Sequence, residues 1–385
     1  MEFQTIQALS AEIKRAALEA GFELAGIAPV RDFPELDHFQ EWIAAGHAGE
    51  MKYMEARDEA GRLKRASLRS AVPWARSVIV CAINYNTAQP YSTEPSEPGR
   101  GWISRYAWSR EDYHDAVMRR LRVLEAGLQR VVATSAVGSA RAGQSAVPTQ
   151  FLARTGGTPA VQTRCYVDTG PLVERIYAKY AGVGWIGKNT CILNQKQGSW
   201  LFLGVILTSL DLAPDLPAPD RCGSCTRCID ACPTDALVAP YQLDSNRCIS
   251  YLTIEKRGEI PEALREGIGR HLFGCDICQD VCPWNRKAPV TRAPEFQPRE
   301  ELINPALEWL AQMSEEEFRE TFRGSPVRRA KHRGIRRNAA IAMGNSRDNK
   351  FEPVLKKLAA DEDEVVASSA QWALSRLGSP SCPED

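Results

Sequence analysis

Two cysteine-rich stretches decide the fold: RCGSCTRCIDACP at residues 221–233 and CDICQDVCP at residues 275–283. The first has the C-x2-C-x2-C-x3-C-P spacing of bacterial ferredoxins, in which the fourth cysteine ligates the other of two clusters. The second stretch supplies the last three cysteines and the proline of another copy. Leu272 stands where the first cysteine of that copy would be, and Cys248 can take its place.

The ferredoxin crossover predicts two [4Fe-4S] clusters, each held by four thiolates. One cluster would be held by Cys222, Cys225, Cys228 and Cys282, and the other by Cys232, Cys248, Cys275 and Cys278. Zinc is the alternative, since thiolate pairs at this spacing also bind zinc tetrahedrally. The ferredoxin order, with a proline after each closing cysteine, favours clusters. We interpret the remaining cysteines as buried or incidental thiols: Cys81, Cys165, Cys191 and Cys382.

The composition is that of an ordinary globular protein. The 385 residues include 48 basic and 48 acidic side chains, so the formal net charge is zero and any attraction to nucleic acid must be local. The longest mostly apolar run, 200–210, is shorter than the ~20 residues that span a bilayer. Residues 1–30 have neither a signal-peptide core nor a twin-arginine pair. We therefore predict a cytoplasmic protein whose cysteines stay reduced.

Upstream of the cysteines, strand and helix patterns alternate. We predict helices at 4–21 and 110–132 and strands at 23–29, 77–85 and 199–212, with the strand at 77–85 covered on both faces. The segment 163–180 reads as a strand, a Thr-Gly-Pro turn and a helix with Pro171 at its first position. The Ala, Gly, Ser and Thr-rich residues 133–160 are interpreted as a surface insertion. This alternation predicts an α/β layer fold over residues 1–215.

The rest of the chain changes character twice. The proline-rich linker 213–220 leads into a ferredoxin-like domain at 216–295. Beyond residue 300 strand patterns end, and RNAAIAM at 337–343 is matched by SSAQWAL at 368–374, in the same register of small and apolar residues. We predict HEAT-like helical repeats over 296–385, with an ordinary helical tail as the alternative. The predicted fold class is a multidomain combination of α/β and α+β architecture.

The residues alone indicate a redox enzyme with an unidentified electron acceptor. A ferredoxin-like domain relays single electrons, and the preceding α/β domain implies something that consumes them. The sequence has no G-x-G-x-x-G after a strand, no P-loop and no D-x-H-x-x-G that would place a histidine beneath a cobalt ion.

Several segments extend this interpretation through resemblance to a known family. SRYAWSREDYH (104–114), VDTGPLVER (167–175), GWIGKNTCIL (184–193), SYLTIE (250–255) and CDICQDVCPWN (275–285), together with the cysteine array, resemble the epoxyqueuosine reductase family. That family performs a cobalamin-dependent reduction of epoxyqueuosine to queuosine in the tRNA anticodon loop, the final step of queuosine biosynthesis. The resemblance implies a low-potential electron donor protein, two [4Fe-4S] clusters, cobalamin and a tRNA substrate. We expect a monomer.

The resemblance also implies roles for individual residues. Asp168 would protonate the alkoxide that epoxide opening leaves, and it would contact the corrin with Ile192, Leu193, Asn194, Leu203, Ser250 and Asp276. An aspartic acid in water is ionised at neutral pH, so the role requires desolvation or a polar partner. The alternative makes Asp168 a turn or capping residue and the apolar residues ordinary core.

A local excess of positive charge predicts where tRNA binds. No acidic residue occurs between Glu320 and Asp348, although basic residues are frequent there. With a basic pair between the cluster ligands, the candidates for phosphate contact are Lys256, Arg257, Arg328, Arg329, Lys331, Arg333, Arg336 and Arg337. A solvated helix face is the alternative. The modified base would leave the anticodon stack to react, as in other enzymes that act on a base.

Two other function classes are compatible with parts of the sequence. A reductive dehalogenase also combines cobalamin with iron-sulfur clusters, but such enzymes usually carry a twin-arginine signal and need no basic helical segment. A non-catalytic electron carrier or RNA-binding module with clusters is the other alternative.

Overall fold

The computed structural model describes residues 2–142 and 161–377. Its strands are β1 (Leu24–Pro29), β2 (Ser77–Asn84), β3 (Trp102–Ile103), β4 (Thr163–Tyr166), β5 (Trp185–Ile186), β6 (Ile192–Leu193), β7 (Leu201–Thr208) and β8 (His271–Phe273). The helices of the first half are α1 (Glu2–Glu19), α2 (Glu35–Ala44), α3 (Leu68–Ala71), α4 (Tyr113–Ala142) and α5 (Glu174–Tyr180). Those of the second half are α6 (Arg227–Asp230), α7 (Ile249–Ile254), α8 (Glu262–Arg265), α9 (Ile277–Asp280), α10 (Leu307–Gln312), α11 (Glu315–Thr321), α12 (Lys331–Ser346), α13 (Glu352–Ala359) and α14 (Glu364–Arg376).

A four-stranded sheet in the order β1-β2-β7-β4 forms the centre of the N-terminal half. Every residue of β2 is buried. Its side chains at 79, 81 and 83 pack with α1 and α4, and those at 78, 80 and 82 pack with α3 and α5. The alternation explains the nearly continuous apolar sequence of β2, because each face of the sheet is covered. The predicted strand with two covered faces is confirmed.

The topology of this sheet differs from an α/β layer fold. All three strand pairs are antiparallel, whereas alternating strands and helices of α/β proteins usually build parallel sheets. Helix and sheet are mixed as expected, but α+β is the correct description of this sheet. Strand β7 pairs with both β2 and β4. Local sequence periodicity predicts strands but does not specify which strands pair.

Two predicted element boundaries are wrong. The predicted helix 110–132 runs as Tyr113–Ala142, so residues 133–142 are helical and not part of a surface insertion. Alanines in this segment favour the extension, since alanine has the highest helix propensity. The rest of the predicted insertion, 143–160, lies outside the described residues. Pro171 does not begin a helix, because α5 starts at Glu174 and Pro171 belongs to the preceding turn.

The C-terminal half is organised around α12. The matching segments 337–343 and 368–374 lie in α12 and α14, which pack against each other. The same hydrophobic core includes the parallel pair β3 and β8, so residues 102–108 belong to the core of the C-terminal helices. Gly344 permits the close approach of the two helices: a Cβ there would lie 2.7 Å from Cα of Ala373.

We expect Gly344→Ala to destabilise the protein by about 1–3 kcal/mol, because the added methyl group must push α12 and α14 apart. The matched control is Gly127→Ala in α4, where a Cβ would meet nothing within 4 Å. There the better helix propensity of alanine should stabilise the protein by about 0.5–1 kcal/mol. Chemical denaturation measures both free energies of unfolding. Equal effects at the two positions would contradict the tight helix contact.

None of the helices within the described ranges combines the length and the apolar composition that crossing a lipid bilayer requires.

Candidate active site beside the cysteine array

A large cavity lies between the sheet, the cysteine segments and the basic C-terminal segment. Its volume is about 2610 Å³, well above the ~300–1,000 Å³ of cavities that hold one drug-sized ligand. Asp168 and Leu203 line it from the sheet side, Ser250 and Asp276 from the cysteine segments, and Arg328 from the C-terminal side. The cavity therefore has room for a large cofactor together with part of a second ligand.

Asp168 lies on the turn between β4 and α5, at the cavity wall. Its φ angle is 56°, a left-handed conformation that few residues other than glycine adopt. The Tyr113 hydroxyl donates a hydrogen bond to Oδ2 of Asp168, and Arg65 donates to its backbone oxygen at 3.4 Å. The side chain remains half exposed. The turn thus presents a carboxyl group to the cavity in an orientation that its partners define.

A histidine connects this carboxyl group to a second one. Nε2 of His114 lies 3.7 Å from Oδ2 of Asp168, and its Nδ1 lies 2.9 Å from Oδ1 of Asp112. Burial lowers the pKa of His114, but the hydrogen bond with Asp112 and the charge of Asp168 outweigh it, so the pKa is raised. Burial and the charge of Asp168 hold the pKa of Tyr113 well above its usual range.

Sequence reasoning assigned no role to Tyr113 and His114. The signal that could have found them is the D-Y-H run at 112–114, where polar and aromatic side chains begin a long helix. The contact to Asp168 spans 55 residues along the chain, so only the fold brings these groups together.

The residues predicted to contact a corrin divide into two sets. Ile192, Leu203, Ser250 and Asp276 line the cavity together with Asp168. The carboxylate of Asp276 is 1% exposed and accepts hydrogen bonds from the Trp102 indole at 3.1 Å, the Ser104 hydroxyl at 2.5 Å and the Arg105 amide at 2.7 Å. Its position in the wall is therefore fixed.

Leu193 and Asn194 are not among the residues that line the cavity. Leu193 packs with Trp185 and Cys282, because neighbouring residues of a strand point to opposite faces and Ile192 takes the cavity side. The Asn194 amide donates to the backbone oxygen of Val183 at 2.7 Å, which fixes the turn after β6. These two residues support the wall from behind.

Glu174, at the start of α5, is another cavity residue that sequence reasoning missed. Its Oε1 is buried and, within the described part of the chain, has no hydrogen-bond partner. Burial and the charge of Asp168 raise the pKa of Glu174 to about 7. A carboxyl group in this position is neutral in the folded protein under mildly acidic conditions.

We expect Glu174→Gln to become increasingly stabilising, relative to the native protein, as the pH rises from about 4.5 to about 7. The folded state holds the Glu174 proton in this range while the unfolded state loses it, so native stability falls with pH. The difference should reach about 1–3 kcal/mol. The control is Glu125→Gln: burial raises the pKa of Glu125, but hydrogen bonds from Arg122 and Thr163 lower it overall. The stability that this carboxylate contributes is complete above about pH 4.5, so the deficit of this variant should stay constant between pH 4.5 and 7. Urea denaturation at several pH values measures the free energies of unfolding of both variants and the native protein. A pH-independent difference for Glu174→Gln would contradict the raised pKa.

The structure gathers the predicted cluster ligands into two groups. Burial is the main cause that raises the pKa of Cys282 to about 11, and the charges of Cys222 and Cys228 raise it further, so these two thiols lie near Cys282. Burial also raises the pKa of Cys275, and the charges of Cys248 and Cys232 raise it further, so these thiols lie near Cys275. Cys225 neighbours Cys228, and Cys278 neighbours Cys275. The two groups have the same members as the ligand sets that the crossover predicts, and the ligand roles stay predictions.

The two groups differ in their relation to the cavity. Cys232, Cys248, Cys275 and Cys278 line it, whereas Cys222, Cys225, Cys228 and Cys282 lie outside its wall. A zinc ion would need sulfur atoms about 2.3 Å from one centre. Among the residues that the structure describes, no three His, Cys, Asp or Glu side chains are arranged to hold a single metal ion. The second group faces the cavity, and the first does not.

The other cysteines have different environments. Cys81 and Cys165 are buried in the core, as predicted. Cys191 lines the cavity and lies beside Cys278 of the second group. An incidental thiol is therefore an incomplete description of Cys191. Cys382 lies outside the described residues.

The structure separates the predicted RNA-contacting residues by accessibility. Arg337 is 1% exposed and donates to the backbone oxygens of Leu252, Lys256 and Gly258 at 2.6–2.8 Å. The prediction that Arg337 contacts phosphate is wrong, because its guanidinium is buried and donates its hydrogen bonds to these backbone oxygens. Arg336 is mostly buried in an ion pair with Asp361.

The remaining basic candidates are more accessible. Arg328, Arg329 and Lys331 are exposed and line the cavity mouth. Arg333 is exposed and pairs with Asp363 at 3.5 Å. Lys256 pairs with Glu50 at 2.5 Å, and Arg257 donates to the backbone oxygen of Arg329 at 2.8 Å. Across the mouth lie basic residues that sequence reasoning missed: Arg57, Arg62, Lys64 and Arg65.

Comparison with known proteins gives consistent results. A family model described as "Epoxyqueuosine reductase QueG" matches residues 65–169, and one described as "4Fe-4S double cluster binding domain" matches residues 221–285. The epoxyqueuosine reductase of Synechocystis is 41% identical over 82% of this chain and 98% of its own length. That of Pseudomonas aeruginosa is 40% identical over 96% of this chain and 95% of its own length.

A solved structure shows the same fold over nearly the whole chain. The crystal structure of an epoxyqueuosine reductase with an epoxyqueuosine-modified tRNA-Tyr stem loop superimposes with a TM-score of 0.80 and 30% identity. The match covers 98% of this chain and 92% of that one.

Proposed function

The chain belongs to the epoxyqueuosine reductase family, and from that premise we propose that it reduces epoxyqueuosine to queuosine at the wobble position of tRNA anticodons. It is an oxidoreductase of queuosine biosynthesis. The observation that carries the proposal is the cavity in which the Asp168 turn, the second cysteine group and the basic mouth meet. These are the proton source, the electron source and the phosphate contacts that the reaction needs.

The cofactors are two [4Fe-4S] clusters and cobalamin. Cys222, Cys225, Cys228 and Cys282 hold the first cluster, and Cys232, Cys248, Cys275 and Cys278 hold the second. The cavity residues fit a corrin: the cavity volume is sufficient, Ile192 and Leu203 are apolar wall residues, Ser250 and the buried Oε1 of Glu174 would provide polar contacts for side-chain amides, and Asp276 orders the wall through its internal hydrogen bonds. Cobalamin supplies a metal centre that can collect single electrons for a two-electron reduction.

Proton supply is the task of the protein. Conversion of the epoxide to an alkene and water consumes two electrons and two protons. Asp168 delivers a proton to the oxygen that leaves carbon, and the Tyr113 hydroxyl holds its carboxyl group in place. His114, whose pKa is raised, has Nε2 3.7 Å from Oδ2 of Asp168 and can return a proton to it through one water molecule, while Asp112 fixes the ring through Nδ1.

Substrate binding uses the cavity mouth and the C-terminal helices. The modified base leaves a single-stranded loop, where unstacking costs little. Arg328, Arg329 and Lys331 contact phosphates near the point of entry, and Arg257 and Arg333 extend this surface. Arg337 and Arg336 stabilise the segment that presents them.

The division of labour follows three domains. Residues 1–215 form the catalytic core, 216–295 the cluster domain and 296–385 the tRNA-binding domain with HEAT-like helices. The packing of α12 on α14 supports the repeat assignment. The protein acts as a monomer and receives electrons from a low-potential donor protein.

We expect the double substitution Arg328→Glu and Lys331→Glu to weaken stem-loop binding by at least tenfold and to reduce the slope of log Kd against log salt by about 1–2. Both side chains are exposed at the cavity mouth. The control is Lys356→Glu with Lys357→Glu on α13, which are exposed but lie outside the cavity. Fluorescence anisotropy at several salt concentrations measures both. Equal affinities of the two variants would contradict this binding surface.

The proposed function is tested by a single turnover. Protein reconstituted anaerobically with both clusters and cobalamin is reduced and mixed with an epoxyqueuosine stem loop, and the nucleosides are analysed by mass spectrometry. Queuosine is the expected product. Reduced, fully loaded protein that binds the stem loop without forming queuosine would overturn the proposal.

A further inference from the structure

The two cysteine groups differ in their position relative to the cavity, and the difference shows where electrons enter. The second group lies in the cavity wall, while the first lies outside it, with Cys222, Cys225 and Cys228 in the loop 221–230 and Cys282 after α9. In this loop Arg221, Gly223, Ser224, Thr226 and Arg227 are exposed. Because electrons tunnel efficiently only over short distances, a donor must approach the first cluster at this loop.

A second segment lies beside the loop. Trp284 and Ala218 pack against the cluster of Trp185 and Cys282, and Cys222 belongs to the same contact. The Trp284 and Trp185 rings are 5.1 Å apart in an edge-to-face arrangement. Arg286 and Lys287, both exposed, follow Trp284 by two and three residues, directly after this turn. We call the exposed residues Arg221, Arg227, Arg286 and Lys287 the entry face.

The entry face carries a local excess of positive charge in a chain of zero net charge. Two exposed carboxylates lie in the same segment: Asp230 accepts from the Thr226 hydroxyl at 2.8 Å, and Asp220 accepts from the Tyr241 hydroxyl and from the Cys222 amide. These donors are neutral, so both carboxylates keep their charge, and four basic against two acidic side chains leave an excess of two positive charges. Four cations thus face solvent beside the outer cluster ligands.

The loop is held in one conformation by the protein. The Lys188 ammonium group donates to the backbone oxygens of Gly223 at 2.7 Å and Cys225 at 3.0 Å. Because both carbonyl groups belong to the exposed part of the loop, this lysine fixes the surface that a partner would meet. A preformed, charged surface suits a small and transient interface, in which charge complementarity sets the association rate.

We propose that the entry face docks an acidic one-electron carrier protein. Each encounter transfers one electron from the reduced carrier to the first cluster, so the carrier is oxidised once and the cluster is reduced once. Two encounters supply the electrons of one turnover, and no proton moves at this surface. The proposal rests on the double-cluster domain and not on the identity of the nucleoside that is reduced.

The experiment uses reduced plant-type ferredoxin, an acidic carrier, as the probe. Stopped-flow absorbance follows reduction of the clusters in the native protein and in the variant Arg286→Glu with Lys287→Glu. At low salt the second-order rate constant should fall at least tenfold in the variant, and its salt dependence should flatten. Reduction by dithionite, the iron content and the midpoint potentials should remain unchanged. The matched control, Lys356→Glu with Lys357→Glu, should react like the native protein.

Three outcomes would overturn the proposal. One is an unchanged rate with ferredoxin. Another is equal slowing with dithionite, or a shifted potential, which would show that the cations serve the cluster itself. The third is loss of stem-loop affinity with normal ferredoxin kinetics, which would assign the face to RNA. The native protein gives an independent test, since its reduction by ferredoxin should slow steeply as ionic strength rises; a flat dependence would also contradict docking by charge. Because cluster reduction needs no stem loop, failure here is distinguishable from failure of the proposed function.

Discussion

Asp168→Asn should lower the single-turnover rate of queuosine formation by about 10²–10⁴-fold, the usual contribution of a general acid. The amide keeps the shape of the side chain but cannot give up a proton to the leaving oxygen. Stem-loop affinity, cobalamin binding and iron content should remain at native levels, because the Asp168 side chain holds no cluster and lies on a turn whose backbone is retained. Rapid-quench sampling with nucleoside analysis measures the rate.

The control for this substitution is Asp211→Asn, an exposed aspartate that does not line the cavity. It should react at the native rate. If Asp168→Asn retained activity within about threefold of native, Asp168 would be a turn residue, and the proton would have to come from His114 or Tyr113 directly. A variant with low activity and lost cobalamin binding would place Asp168 among the cofactor contacts only.

Cys275→Ser should abolish turnover and halve the iron content, from about eight to about four atoms per chain. Cys275 belongs to the group in the cavity wall, so its loss interrupts electron transfer at the step nearest the substrate. The first cluster should remain, since its four ligands are unchanged. Iron and sulfide analysis, with EPR spectra of the reduced protein, distinguishes one cluster from two.

Cys81→Ala provides the matched control for this cysteine. Its thiol is buried in the sheet core, away from the cavity, and its replacement should leave about eight iron atoms per chain. If Cys275→Ser kept the native iron content, Cys275 would not be a ligand. Zinc in place of iron in the anaerobically purified protein would contradict the cluster assignment itself.

The sequence predicted the features that depend on local spacing. The two cysteine stretches predicted a double-cluster domain, which the family model at 221–285 supports, and the apolar run 77–85 predicted a strand covered on both faces. Both patterns are short-range, since a cluster needs ligands at fixed intervals and a buried strand needs consecutive apolar residues.

Features that depend on contacts distant in sequence could not be predicted in this way. The antiparallel order of the sheet follows from which strand β7 pairs with, and the partners of Asp168 come from the start of α4. Arg337 lies in a basic run and looks accessible in sequence, yet three carbonyl groups from 252–258 surround its guanidinium. Leu193 and Asn194 are a further example. They follow Ile192 directly in sequence, but only the folded backbone shows that Ile192 lines the cavity and that they do not.

An electron count under single-turnover conditions tests the central claim most directly. Protein with both clusters and cobalamin is reduced to a known extent, freed of excess reductant and mixed with epoxyqueuosine stem loop, while spectra record oxidation and mass spectrometry counts queuosine. We predict that two electrons leave the protein for each queuosine formed, and that Asp168→Asn loses neither electrons nor substrate on this timescale. Oxidation of the clusters without matching queuosine, or queuosine formed while the clusters stay reduced, would contradict the account.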